Sequence, residues 1–454
     1  MAHAPEVGPG SGPGSGQLTL RRLNPAWRSA HRARAIVALL LAGGFGLVGC
    51  ASTAWRPPVV LYVALSAMEQ ESITQEISHQ FHRRVYQMVA GFRRVHPNVE
   101  VQIVVYPEQE LQQQIRLRNR SGLGPDLILT SADHANALLA RNLVDPMPLT
   151  AREQQAIDPL LLAQLRDGRG RLAGLPLLIQ PQLACFDRRR QPQPIGNVAE
   201  LSQRSLAGLR VGLALALPDL IWSAGSFGAV TGLQAAASGR PLDARQALGL
   251  RTWLDWLQSS SGRLGISFER DNDALREGLR RGTLDWISCR SSDLPTLQGV
   301  LGPHLGVAPL PGGAERPALQ VRPLRVIALG RNSSPLQRQL AIALSTYSVR
   351  PLVQRGFVTK ASVGLPVTRY PLSLGRSETL QAMRQALQQP GGDRVEELAL
   401  LALLHAEDSR LRLLQDRLTG LIFGAINAAQ AQQELIRILG PSRQPNPPSR
   451  RATP

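Results

Sequence analysis

His79 and His82 stand one helical turn apart and could begin a metal site, but no carboxylate or further histidine completes the set, so the pair reads as a solvated helix face. Gly225-Ser226-Phe227-Gly228 places a serine between glycines without the Gly-x-Ser-x-Gly elbow of a hydrolase nucleophile, and reads as a helix-entry turn. Lys360 is the only lysine. It sits in Val-Thr-Lys-Ala rather than Gly-Lys-Ser/Thr, which excludes a phosphate-binding loop of the ATPase type, and its neighbours do not form the apolar pocket that Schiff-base chemistry needs. Cys50, Cys185 and Cys289 are the only cysteines, with no Cys-x-x-Cys for zinc or redox work. No nucleophile, base and orienting group can be assembled. The expectation is a protein that is not an enzyme, with no cofactor and no metal.

Cys50 carries different chemistry. Residues 1–16 are Gly/Pro/Ser-rich; Arg21, Arg22, Arg28, Arg32 and Arg34 follow, and then Ala35 to Val48 is almost wholly apolar. As a helix those residues span only ~21 Å, short of the ~30 Å hydrocarbon core, so the run reads as a signal-peptide core. It ends in Leu47-Val48-Gly49-Cys50, which resembles the bacterial lipobox, in which the cysteine is lipidated and exposed by cleavage. The expected order is thus a leader over 1–49, lipidation at Cys50, a tether over 50–58 and a chain held at the cell envelope by its acyl groups. Cleavage removes five arginines against one glutamate, and the mature chain stays strongly basic.

The chain has 454 residues and a formal net charge of +18, with 43% hydrophobic and 19% charged residues, which leaves room for two or three domain-sized units and excludes a disordered polymer. No second long apolar run exists, so a multi-span membrane protein is excluded too. Val59–Leu65 reads as a buried strand, and Ile77, Phe81, Val85, Met88 and Phe92 line one face of a long helix that His96-Pro97-Asn98 stops. The alternating Val99, Val101, Ile103 and Val105 form a strand, Leu111 and Ile115 mark a helix, and Leu127–Leu129 forms a strand after Gly124-Pro125-Asp126. The alternation returns with strands at Leu209–Leu217, Leu284–Ser288, Val307–Leu310 and Arg325–Leu329, and helices at Ala244–Gln258, Asn272–Arg281 and Pro335–Tyr347. This pattern argues an α/β fold with mainly parallel sheets. From Ser377 to Leu439 only helices are expected, and 441–454 reads as a disordered tail.

Gly91-Phe92-Arg93-Arg94-Val95-His96-Pro97-Asn98-Val99-Glu100-Val101, followed by Gly124-Pro125-Asp126-Leu127, is similar to the first lobe of the family 1 extracellular solute-binding proteins of ABC importers, the maltose-binding-protein-like group. Asn142-Leu143-Val144-Asp145-Pro146, Gly174-Leu175-Pro176, Gly306-Val307-Ala308-Pro309-Leu310-Pro311-Gly312-Gly313 and Ile422–Asn427 resemble further family fragments in the family's order. The resemblance covers nearly all of Val59 to Leu439. It implies a two-lobe periplasmic-binding-protein fold of type II, with lobes discontinuous in sequence: 59–184 and 290–340 in the N-terminal lobe, 185–289 and 341–440 in the C-terminal lobe. It also implies hinge closure on a small solute, a monomer, and delivery to permease subunits driven by a separate ATPase.

In that architecture polar side chains after the strands face the cleft, which nominates Ser66, Glu69 and Gln70, then Thr130, Ser131 and Asp133, then Gln180 and Gln182 before the first crossing and Arg290, Ser291 and Ser292 after the second. Asp126 reads as a structural turn residue. Trp222 and Trp286 are the candidates for stacking on a sugar, with lobe-core packing as the alternative, while Trp253 and Trp256 at helical spacing read as core. Only 4% aromatic residues favours a mono- or disaccharide, or a polyol derivative, over an oligosaccharide. Cys185 and Cys289 map beside neighbouring hinge strands, where a disulfide restricting opening is one reading and two buried free thiols the plainer one. The basic charge prompts a rival reading, a binder of nucleic acid or an anionic solute such as a sugar or glycerol phosphate, with Arg290 the first residue to test. The arginines are spread along the chain without an aromatic-interleaved motif, so no nucleic acid is expected. A signalling lipoprotein of the same fold is the other alternative.

Overall fold

The computed structural model describes residues 57–67, 75–319, 323–369, 377–388 and 409–440. The expected leader, Cys50, Glu69, Gln70 and the expected tail 441–454 lie outside them. Eleven strands are described: β1 (Val59–Ala67), β2 (Val99–Pro107), β3 (Leu127–Ser131), β4 (Leu175–Ile179), β5 (Gln182–Asp187), β6 (Val211–Ala214), β7 (Ser267–Glu269), β8 (Trp286–Arg290), β9 (Leu305–Ala308), β10 (Leu324–Leu329) and β11 (Leu365–Pro366). They make two sheets, one in the order β11-β4-β10-β3-β1-β2 and the other β7-β6-β8-β5-β9.

In the first sheet β1 runs parallel to β2 and β3, while β10 returns antiparallel between β3 and β4. Helix Gln75–Val95 buries Val85, Met88, Val89 and Phe92, the face its periodicity predicts. The His-Pro-Asn stop has a packing role as well: the Phe92 and His96 rings stack at 4.3 Å. Gly91 lies under Tyr347 of helix Pro335–Ser348, where a Cβ would come within 2.1 Å of the phenolic oxygen, so a side chain there would force the Tyr347 ring to shift. Asp126 is structural. Its carboxylate accepts from the Tyr62 backbone N–H at 2.8 Å and its own N–H donates to the Tyr62 carbonyl at 2.8 Å, which fixes the entry of β3 beside β1.

The partition between the lobes differs from the expected one. The first crossing falls within Gln180-Pro181, since β4 ends at Ile179 and β5 begins at Gln182. The chain does not return near Arg290. Strand β8 is central to the second sheet, paired with β5 on one side and β6 on the other, and helix Leu294–Leu301 then buries Leu294, Leu297 and Leu301 beside it. Only after β9 does the chain go back, entering the first sheet at Leu324. Helices Pro335–Ser348 and Pro351–Ala361 and strand β11 also belong with the first sheet, because they pack on it, and not with the other lobe as expected beyond 340. Helices Ser409–Ile422 and Ala428–Leu439 close the second lobe through Leu414, Leu418, Leu421, Ala431 and Leu435.

Cys185 and Cys289 are joined by a disulfide with Cα atoms 5.8 Å apart, in place of the two free thiols of the plainer reading. They form a diagonal pair on antiparallel β5 and β8, since Cys185 faces Ile287 and Cys289 faces Leu183. Both strands belong to the second sheet, so the bond staples one lobe and does not restrain opening between lobes.

Trp222 and Trp286 sit at 0% exposure in the core of the second lobe, with Trp253, and no solute ring can stack on them there. The reason is local. The apolar run Leu209–Leu217 forms a strand only to Ala214, after which the chain folds back at once in the helices Leu217–Leu220 and Trp222–Ser226, whose inner faces bury Leu217, Leu220 and Trp222. The Gly-Ser-Phe-Gly segment ends helix Trp222–Ser226 and opens the turn to helix Val230–Ala237, with Gly228 at a positive φ of 70°. It is one half of a contact whose other half is Pro311-Gly312-Gly313. The Ser226 hydroxyl donates to the Pro311 carbonyl at 3.0 Å, and a Cβ on Gly313 would meet the Ser226 carbonyl at 2.0 Å.

Candidate functional site

Both sheets turn the C-terminal ends of their parallel strands toward the crossing. Leu324 pairs with Ile179 where β4 ends, and Gln182 pairs with Arg290 where β8 ends. Side chains at these ends therefore converge on the connection between lobes, the usual location of ligands in open α/β sheets.

At the edge of the first sheet the convergence is a buried polar network. Glu108, the first residue of helix Glu108–Arg120, accepts from the Ser66 hydroxyl at 3.3 Å, the Thr130 hydroxyl at 3.4 Å and the Ser131 backbone N–H at 3.3 Å, and its Oε1 lies 3.4 Å from His134 Nδ1. Its position in the first helical turn also suits a carboxylate. Arg325, at the start of β10, donates to the Ser66 carbonyl at 2.7 Å and the Leu129 carbonyl at 3.4 Å. Ser131 caps helix Ala132–Ala140 through the His134 N–H. The network thus holds one carboxylate and one guanidinium around three hydroxyls.

At the edge of the second sheet the polar groups are locked in ion pairs. Arg290 grips Asp219 with two hydrogen bonds, at 3.0 and 2.7 Å, both side chains nearly buried, and Gln182 donates to the Asp219 carbonyl at 2.6 Å. Asp293 accepts from the Arg290 N–H and pairs with Arg276, which also holds Asp273. Burial pushes the Asp293 carboxyl above the usual carboxylate range, against the pull of Arg276 and Arg290. Between the edges, the Ser291 hydroxyl donates to the Val363 carbonyl at 2.8 Å and Gln180 reaches the same oxygen at 3.4 Å. The side-chain carbonyl oxygens of Gln180 and Gln182 are buried with no hydrogen-bond partner among the described residues.

Among the described residues this arrangement gathers no three His, Cys, Asp or Glu as a metal site. It has the layout of a receptor. The family model for bacterial extracellular solute-binding proteins matches residues 87–370. The chain belongs to that family. No curated relative matches. Among solved structures, this solute-binding protein is similar to the GacH receptor of Streptomyces glaucescens, solved unliganded and with acarbose, at 14% identity and a TM-score of 0.63 over 84% of this chain and 99% of that one. It is also similar to the maltose/maltodextrin-binding domain of Bdellovibrio bacteriovorus bound to maltotriose, at 14% identity and 0.59 over 84% and 98%. A Thermotoga lettingae ABC transporter solute-binding protein bound with α-D-tagatose matches at 12% and 0.59 over 84% and 100%. At these identities the likeness establishes the two-lobe fold of type II, which the paired sheets above display.

Of the nominated residues, Ser66, Thr130 and Ser131 do meet in one network, but Ser66 and Thr130 are fully buried in this solute-binding protein, and Glu108 and Arg325 beside them are buried too. Gln180, Gln182, Arg290 and Ser291 gather at the crossing, with Ser292 beside them and Asp133 half-buried on the first edge. Arg290 is not a free anion clamp, because Asp219 neutralises it. Sequence reading missed Glu108, His134, Asp219 and Arg325. Asp219 was findable as the lone acid in Leu217-Pro218-Asp219-Leu220-Ile221, and Arg325 as the charge heading an otherwise apolar strand. Glu108 gave no such signal, since acids open many surface helices.

Proposed function

We propose that this chain is the lipid-anchored receptor of an ABC importer, capturing an uncharged polyhydroxylated solute, a mono- or disaccharide or a polyol, at the crossing between its lobes. The observation that carries the reading is the pairing there: Glu108 and Arg325 both bond Ser66, Asp219 pairs with Arg290 and Asp293 with Arg276, and the Gln180 and Gln182 carbonyl oxygens are left as acceptors. Such a set offers donors and acceptors to hydroxyl groups, and each of its arginines already faces an oxygen of the protein. The sugars named for the similar structures agree with that chemistry. The anionic-solute alternative loses its first residue, Arg290, to Asp219. Capture needs the lobes to part, by motion about Gln180-Pro181 and the other connections. Anchoring through Cys50 would keep the receptor beside its permease at the outer side of the membrane.

A thermal-shift screen of the mature protein against sugars, polyols, sugar phosphates and amino acids tests the solute class. A ligand at 100 times its Kd adds about 2.7 kcal/mol, so a neutral sugar or polyol is expected to raise the melting temperature clearly. A shift by amino acids or sugar phosphates alone would overturn the assignment. Mass spectrometry of the processed N-terminus tests the anchor, with acyl mass on Cys50 expected and an unmodified thiol contradicting it.

A further inference from the structure

A recess lies on the first lobe, at the sheet edge opposite the crossing. Helix Ala132–Ala140 starts at Ser131 on the crossing side and runs back ~13 Å along the sheet, so its C-terminal end marks the far edge. There Asp145 bridges Leu329, the last residue of the antiparallel β10. Between the helix end and the tight turn closed by the Arg166–Leu172 bridge is a recess of about 550 Å³. Leu139 and Ala140 lie along one wall, Asn136 and Asn142 add amide groups, and Arg166, Arg169 and Arg171 come from the turn.

The charge there is unbalanced, unlike that at the crossing. The Asp167 carboxylate is engaged on both oxygens, by the backbone N–H groups of Arg169 and Arg171 and by the Arg171 guanidinium at 2.7 Å. Burial pushes the Asp167 carboxyl upward, but these bonds outweigh it and hold it below its ordinary value. Arg171 is thereby neutralised. Arg166 is held in place by two neutral oxygens, the Gly170 carbonyl at 3.0 Å and Gln154 Oε1 at 2.6 Å, and among the described residues no carboxylate pairs with Arg166 or Arg169. The helix C-terminal carbonyls, which would repel an anion, are engaged: the N–H groups of Arg141, Asn142 and Leu143 take those of Ala137, Leu139 and Leu138. Two guanidinium groups therefore border a recess of small-ligand size whose lining carboxylate, Asp167, is engaged by Arg171, and no carboxylate among the described residues pairs with them.

From this geometry we infer that the far-edge recess binds a phosphate-bearing anion, with Arg166 and Arg169 as its ligands and the Asn136 and Asn142 amides beside them. The phosphate comes either from a soluble phosphate ester or from an anionic lipid headgroup. The site is separate from the crossing, so it stands or falls independently of the sugar assignment.

The test is a calorimetric titration of the mature protein with glycerol 3-phosphate, alongside co-sedimentation with vesicles of phosphatidylglycerol in phosphatidylcholine. Saturable binding that Arg169→Gln weakens at least fivefold, and Arg166→Gln with Arg169→Gln weakens further, is the expected result. Arg166 helps hold the turn, whereas Arg169 joins it through its backbone alone, so the single Arg169 variant reads the site without unfolding it. Binding of glycerol 3-phosphate assigns a soluble ester; binding of the vesicles alone, lost in the same variants, assigns a headgroup. Absence of both, or binding that Arg169→Gln leaves unchanged, overturns the proposal.

Discussion

The two edges that meet at the crossing are built to opposite rules. On the first sheet one carboxylate, Glu108, is shared among three hydrogen-bond donors and a histidine at 3.3–3.4 Å, long contacts that a better donor could displace. On the second sheet Asp219 and Arg290 hold each other at 2.7–3.0 Å. The lobe behind that second edge carries the disulfide and three fully buried tryptophans. The difference suggests a division of labour in which the second lobe is a rigid wall and the first presents exchangeable hydrogen bonds. Substitutions in the wall should cost stability and spare affinity, and those in the network the reverse.

The largest effect is expected in the tryptophan core. Trp222→Ala or Trp286→Ala should destabilise the protein by about 3–5 kcal/mol, seen in chemical denaturation, while the surviving folded fraction keeps its solute affinity. A loss of affinity with normal stability would return these rings to the binding surface and erase the distinction between the edges. Next is the disulfide, whose partners are 104 residues apart in sequence. Cys185→Ser with Cys289→Ser should cost about 2–4 kcal/mol, read by calorimetry, and should leave the change in dimensions on solute binding intact because the bond lies within one lobe.

In the network, Glu108→Gln removes the charged acceptor. Solute affinity should fall at least tenfold, which is about 1.4 kcal/mol, with a change in folding stability smaller than that of either wall variant. Equal losses in both would make Glu108 a structural group like Asp219. The smallest effect concerns pH. Asp293 has its folded value raised by burial, so its share of stability is present at low pH and is lost as pH rises from the ordinary carboxylate value through the raised one. Asp285 behaves oppositely. Burial raises it, but the hydrogen bonds from Arg210 win and depress it, so its share is present above about pH 4 and is lost as pH falls. Asp293→Asn should therefore flatten the decline in stability on the neutral side and Asp285→Asn the decline on the acid side, both measurable by urea titration across pH.

Much of this was legible in the sequence. Helix Asn272–Arg281 has the bounds its pattern predicts, since Asp271 caps it and Gly282 ends it in the left-handed region. The family motifs proved to be packing devices: Gly91 under Tyr347, Asp126 tied to Tyr62, Gly313 against Ser226. What escaped was long-range. Arg290 reads as a free cation until Asp219 arrives from 71 residues away, and Trp222 reads as a loop residue until the chain turns inward two residues after β6. The return crossing falls later than expected because β8 ends at Arg290 and runs into Ser291 and Ser292, a polar stretch that looks like a strand leaving its sheet when it is the sheet's edge at the crossing.

The most direct test of the account is a calorimetric titration of the mature protein with the sugar that raises its melting temperature most, at low and at high salt, beside the phosphorylated form of that sugar. A neutral solute held by balanced charges should bind with the same Kd at both salt concentrations, and its phosphate ester should bind no better at the crossing. Affinity confined to the phosphorylated form and falling steeply with salt would contradict the account.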